Sequence, residues 1–172
     1  MPDHAHLSVD RTHAFMLAGP IGAGKTTLFN ILFGRTGCAQ KTQAVEYEAD
    51  IGLDTPGEFF SHPRLYHALI TTASDVGTLV YVQAANDFSC RLPPGLLGVY
   101  GQKRLIGVIT KIDLPGGDSD RVEALMREHG IIGPVFRISA LTPDSVLPLK
   151  RLLVGPTGRW APGFVHGEEV SE

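Results

Sequence analysis

The first wholly apolar run lies at residues 14–18 (AFMLA), as expected of a strand buried on both faces. Residues 24–33 follow with Leu28, Ile31 and Leu32 at helical spacing. The polar, Gly-containing stretch 34–42 reads as a loop. Residues 44–48 then alternate, Val45 and Tyr47 against Glu46 and Glu48, the pattern of a half-exposed strand near an edge. A buried strand resumes at 50–53. Pro63 can open a helix carrying Leu65, Leu69 and Ile70. Residues 78–82 and 105–110 read as further strands. The stretch between them, 86–102, is loop-like, with Pro93, Pro94 and Gly95 and room for one short helical turn. Asp118 or Ser119 can cap a helix running to Glu128, with Val122, Leu125 and Met126 on its apolar face. A last strand at 135–138 and a last helix at 143–153 complete about six strands and five helices. The alternation of strand and helix predicts an α/β fold, a mainly parallel sheet with one antiparallel edge strand and helices on both faces.

The 172 residues amount to about one domain. A hydrophobic fraction of 43% with 19% charged residues suits a packed core rather than a disordered chain. The expected boundaries are a polar N-terminal tail at 1–13, one domain at 14–154 and a Gly/Pro-rich C-terminal tail at 155–172. Trp160 and Phe164 in the last segment are read as incidental aromatics. The formal net charge of -3 carries no basic footprint for nucleic acid. Cys38 and Cys90 form no metal or disulfide pattern, which suggests a reducing compartment. His4, His6 and His13 lack thiolates or carboxylates at ligand spacing and read as part of a mobile tail. The N-terminus shows no apolar signal region, and no apolar run approaches the ~20 residues of a membrane span.

Residues Gly19, Pro20, Ile21, Gly22, Ala23, Gly24, Lys25 and Thr26 fit GxxxxGK[ST] between a strand and a helix. Glycines let successive N–H groups turn towards phosphate oxygens, and the helix start adds its positive end. Lys25 supplies a point charge for β- and γ-phosphates, and Thr26 offers a hydroxyl oxygen to Mg²⁺. Thr27, next on the helix, is counted with the phosphate-binding residues. Asp54-Thr55-Pro56-Gly57 stands where a carboxylate can hold Mg²⁺ and a glycine N–H can meet a γ-phosphate. Thr42, in the loop before the second strand, is the candidate switch threonine, a further Mg²⁺ and γ-phosphate ligand. Glu58 follows Gly57; ionised at neutral pH, it repels a γ-phosphate unless it acts as a base, so slow turnover is expected. His62 and His67 read as packing or surface residues.

At the end of the fifth strand, Thr110-Lys111-Ile112-Asp113 is similar to the [NT]KxD base-reading motif. A carboxylate accepts two hydrogen bonds from guanine N1–H and the exocyclic amine, and adenine lacks that donor pair. Asp113 therefore argues for GTP/GDP over ATP. Ser139, Ala140 and Leu141 stand where a segment can back the base. These motifs together resemble the translation-factor and Ras-like GTPase class of P-loop NTPases.

Three longer stretches, KTQAVEYE (41–48), DTPGEFFSHPRLYHALITT (54–72) and ANDFSCRLPPGLLG (85–98), resemble the EutP/PduV family of ethanolamine and propanediol utilization. The resemblance spans about residues 14–153. It implies a bacterial cytoplasmic protein linked to metabolic microcompartments, with a shell protein or pathway enzyme as partner. It also places the phosphate site at Gly19 to Thr26 and the DTPG segment at Asp54 to Gly57. Potassium-stimulated GTPases usually carry Asn in the loop where this chain has Gly22, which argues against K⁺ activation. Three functions follow from these residues: a slow Mg²⁺-dependent GTPase switch, an ATP-dependent small-molecule kinase acting on a carboxylate such as acetate, and a nucleotide-dependent binding module. The kinase needs a lid and an arginine clamp, for which Arg64 and Arg91 are the candidates.

Overall fold

A computed structural model describes residues 14–35, 46–48, 52–74, 76–90, 92, 96–99 and 103–154. Both expected tails, Thr42, Arg91, Cys38 and the three N-terminal histidines lie outside them.

Six strands form one sheet in the order β2-β3-β1-β4-β5-β6. They are β1 (Phe15–Ala18), β2 (Glu46–Glu48), β3 (Gly52–Asp54), β4 (Thr78–Ala84), β5 (Arg104–Thr110) and β6 (Val135–Arg137). β1 runs parallel to β3 and β4, and β4, β5 and β6 continue in parallel. Only β2 is antiparallel, on β3, and it is the edge strand. The expected sheet is therefore the observed one.

Strand alternation divides the core in two. On one face Phe15, Leu17, Val80, Val82, Ile106 and Val108 pack with Leu28, Phe29 and Leu32 of α1 (Lys25–Phe33). Leu149 and Leu153 of the last helix, numbered α6 below (Leu147–Leu153), complete that layer. On the other face Met16, Leu79, Tyr81 and Ile109 pack with residues of four helices. These are α2 (Glu58–Ser61), α3 (Tyr66–Ser74), α4 (Leu96–Val99) and α5 (Ser119–Glu128). Their inward residues are Phe60, Leu69, Ala73, Leu96, Val122 and Met126.

Two local differences from the expected elements have simple causes. Residues Glu58–Ser61 form the extra short helix α2, because Phe60 has a buried place against Tyr81, ring centroids 6.1 Å apart. Pro63 opens a 3-10 turn, Pro63–Leu65, before α3 begins at Tyr66. The short turn expected in 86–102 is α4. Asp118 caps α5, its carboxylate accepting from Arg121 N at 3.0 Å.

β1 is the strand from which the chain crosses to both sides of the sheet. Ligands on such sheets bind beyond the carboxyl ends of the strands at that reversal, where the segments after β1, β3 and β5 meet.

Candidate functional site

The loop after β1 is shaped by close approach. A Cβ on Gly19 would lie 2.1 Å from the carbonyl oxygen of Val82, so no side chain fits between loop and β4. Gly22 and Gly24 take φ of 79° and 89°, the left-handed region that glycine enters without strain. Ala23 N donates to Pro20 O at 3.2 Å, closing the turn. Gly24 is the N-cap of α1 and has no side chain to cap with, which leaves the first N–H groups of α1 for a ligand.

Lys25, the first residue of α1, folds back over this loop. Its Nζ donates to Gly19 O at 2.8 Å and to Pro20 O at 2.9 Å, and the residue is 6% exposed. Burial lowers its pKa from 10.5 to about 8, against the opposing pull of the Asp54 carboxylate. An ammonium hydrogen-bonded to two neutral carbonyls, with the Asp54 carboxylate near it, is poised to exchange the carbonyls for phosphate oxygens.

Thr26 and Asp54 come together from α1 and the end of β3. Thr26 Oγ1 donates to Asp54 Oδ2 at 2.8 Å. Two hard oxygens at this separation, beside the phosphate loop, fit a small divalent cation: Mg²⁺ would take the Thr26 oxygen directly and Asp54 directly or through water. Asp54 is the last residue of β3, one residue beyond the strand end at Leu53 expected from the sequence. Thr55 locks the segment to β1 through a 2.7 Å bond from Oγ1 to Leu17 O.

The segment after β5 is tied to the same loop. Thr110 Oγ1 donates to Ala23 O at 2.6 Å, with Gln83 O at 3.4 Å. Lys111 turns the chain sharply with φ 58°, the only non-glycine residue with positive φ among those described. Asp113 then meets the segment after β6, where Ser139 Oγ donates a short 2.5 Å bond to Asp113 Oδ1. Leu141 N donates to Ser139 Oγ at 3.1 Å, and Ser139 N donates to Ser145 Oγ at 3.0 Å. The carboxylate is thus oriented by a serine that is itself held at two points. Ala140 is exposed and Leu141 is 80% exposed, an open apolar surface beside Asp113.

Gly57 abuts the phosphate loop at Ile21, and Glu58 begins α2 half-buried. Thr27 is half-buried on α1. His62, Arg64 and His67 are exposed on the 3-10 turn and α3. Four residues given no role from the sequence prove to be part of the support: Thr55, Gln83, Ser145 and, through its carbonyl, Val82. Thr55 carried a signal, as the hydroxyl inside DTPG. Ser145 carried none, because its role depends on the 3-10 turn Pro143–Val146 folding back on the end of β6.

Residues 12–154 match the family described as PduV-EutP, ethanolamine utilisation - propanediol utilisation. A Salmonella typhimurium protein named "Probable acetate kinase EutP" is 54% identical over 131 residues, 76% of this chain and 82% of that protein. The propanediol utilization protein PduV of Citrobacter freundii is 35% identical over 99 residues, 58% of this chain and 65% of that protein. Among solved structures, translation elongation factor SelB of Methanococcus maripaludis, crystallised with the GTP analogue GppNHp, superposes with a TM-score of 0.59. At 22% identity the likeness covers 84% of this chain and 33% of SelB, and it shows the fold alone. With the family match spanning nearly the whole described domain, this chain belongs to the PduV-EutP family of ethanolamine and propanediol utilisation.

Proposed function

We propose that this protein is a slow, Mg²⁺-dependent GTPase switch acting in ethanolamine or propanediol catabolism. The observation that carries the reading is the linkage of two sites: Thr110 joins the base-reading segment to the phosphate loop, and Ser139 aims the Asp113 carboxylate. A guanine held by Asp113 then places its phosphates over Lys25 and the start of α1. Mg²⁺ would sit at Thr26 and Asp54, with Thr42 as the switch ligand, and would supply charge neutralisation between β- and γ-phosphates. Gly57 N–H would report the γ-phosphate. Glu58, an anion in that position, disfavours fast hydrolysis. Ordering of the Thr42 and Gly57 segments by GTP would present a surface to a microcompartment shell protein or a pathway enzyme in the cytoplasm.

Loss of GDP and GTP binding in Lys25→Ala, with the circular-dichroism spectrum unchanged, is the expected result; unchanged affinity would remove the phosphate-site assignment. A second reading, phosphoryl transfer to a carboxylate, is favoured by the name of the 54%-identical Salmonella relative. ATP- and acetate-dependent formation of acetyl phosphate by the wild-type protein, abolished by Lys25→Ala, would put it first.

A further inference from the structure

Thr110 ends β5 and opens the segment that reaches Asp113 three residues later. It also touches the phosphate loop. Its Oγ1 donates to Ala23 O at 2.6 Å, and a Cβ on Gly24 would lie 3.5 Å from that hydroxyl oxygen. A nucleotide with its base on Asp113 and its phosphates at Lys25 therefore passes over Thr110. The imidazole ring of a purine, which carries N7, is the part of the base next to the ribose, so it is the part that comes nearest this residue.

N7 can only accept a hydrogen bond, and a threonine hydroxyl has one hydrogen to give. That hydrogen is already placed. Thr110 is 5% exposed, and its Oγ1 meets two backbone oxygens of buried residues, Ala23 O at 2.6 Å and Gln83 O at 3.4 Å. Turning the hydroxyl towards N7 would leave the buried Ala23 carbonyl without its donor, which costs more than one neutral hydrogen bond returns. The neighbouring backbone offers no ready substitute. Ile112 N is given to Ile138 O at 3.5 Å, and Leu114 N to Lys111 O at 3.1 Å. An asparagine at this position would differ, because its amide has two hydrogens and could hold Ala23 O with one while offering the other to the base.

We propose that Thr110 determines specificity through what it withholds: its hydroxyl, held by the phosphate loop, leaves N7 of a bound purine to solvent, and base selection rests on the Watson–Crick edge facing Asp113. The inference rests on the guanine-nucleotide site proposed above and deepens it. The ligand class is then wider than the natural guanine nucleotides and takes in those whose N7 is replaced by carbon. An acceptor that is hydrated in the free nucleotide and in the complex alike adds nothing to affinity, so its removal costs nothing.

The test is competition between GDP and 7-deaza-GDP, each with Mg²⁺, read as the ratio of the two Kd values for wild type, Thr110→Ser and Thr110→Asn. The ratio should lie within about threefold of one for wild type and for Thr110→Ser, which keeps a single hydroxyl hydrogen. Thr110→Asn should favour GDP by more than that. A merely weakened loop lowers both affinities together and leaves the ratio unmoved. A larger wild-type preference for GDP overturns the proposal, and so does a Thr110→Asn variant that binds the two alike. Where Thr110→Asn fails to fold, the wild-type and Thr110→Ser ratios decide. GDP bound no more tightly than ADP by the wild type removes the reading of Asp113 and this inference with it, whereas a guanine preference that depends on N7 removes this inference alone.

Discussion

Raising the pH should weaken nucleotide binding through one group, Lys25. In the free protein its pKa is about 8, because burial disfavours the ammonium while only two carbonyl oxygens and the Asp54 charge favour it. Bound phosphates add negative charge beside Nζ and hold it protonated. The free protein then has to take up a proton on binding wherever Lys25 is neutral. With a pKa of about 8, roughly 0.9 of the molecules are protonated at pH 7 and roughly 0.25 at pH 8.5. GDP affinity should therefore fall about fourfold across that interval, near 0.8 kcal/mol. Calorimetry at each pH in two buffers of different ionisation enthalpy measures both quantities. Proton uptake should rise from about a tenth to about three quarters of a proton per GDP. Equal uptake at the two pH values, with flat affinity, would refute the argument that Lys25 is partly deprotonated in the empty loop.

The same burial predicts a stability effect. The pKa of Lys25 falls from 10.5 when unfolded to about 8 when folded, so between those values the unfolded chain binds more protons. Its contribution to stability is unfavourable below pH 8, by about 3 kcal/mol at most, and is relieved as pH rises towards 10.5. Lys25→Met should raise the melting temperature of ligand-free protein at pH 7, and a lowered one would contradict this. Ser139→Ala removes the hydroxyl that aims Asp113; guanine nucleotide affinity should drop severalfold while inorganic phosphate competition is unchanged. Thr110→Val leaves Ala23 O without its 2.6 Å donor and should cost about 1–3 kcal/mol in urea unfolding. Gly19→Ala, with its Cβ 2.1 Å from Val82 O, should fold poorly or lose the site, as a denaturation midpoint shift would reveal.

Apolar runs and alternation carried most of the fold. AFMLA reads as a doubly buried strand and is one, because a strand inside a parallel sheet has no solvent face. The edge position of β2 was legible from alternating glutamates at 46 and 48. Helix α2 was not legible: EFFS is too short for periodicity, and its formation depends on the place that Tyr81 provides for Phe60. In the site, the phosphate loop and the pairing of Thr26 with Asp54 followed from spacing, since motif and strand end fix the positions of both. The requirement behind Gly57 did not. Its conformation suits any residue, and only the proximity of Ile21, 36 positions away in the chain, explains the glycine. Ser145 was hidden for the same reason, as a contact made by tertiary folding.

The proposed switch depends on Asp113 reading guanine over a phosphate loop built around Lys25. Titration of the purified protein with GTP and with ATP, each with Mg²⁺, tests it most directly. GTP should bind at least tenfold more tightly than ATP, about 1.4 kcal/mol. ATP binding as tightly as GTP, or more tightly, would contradict it.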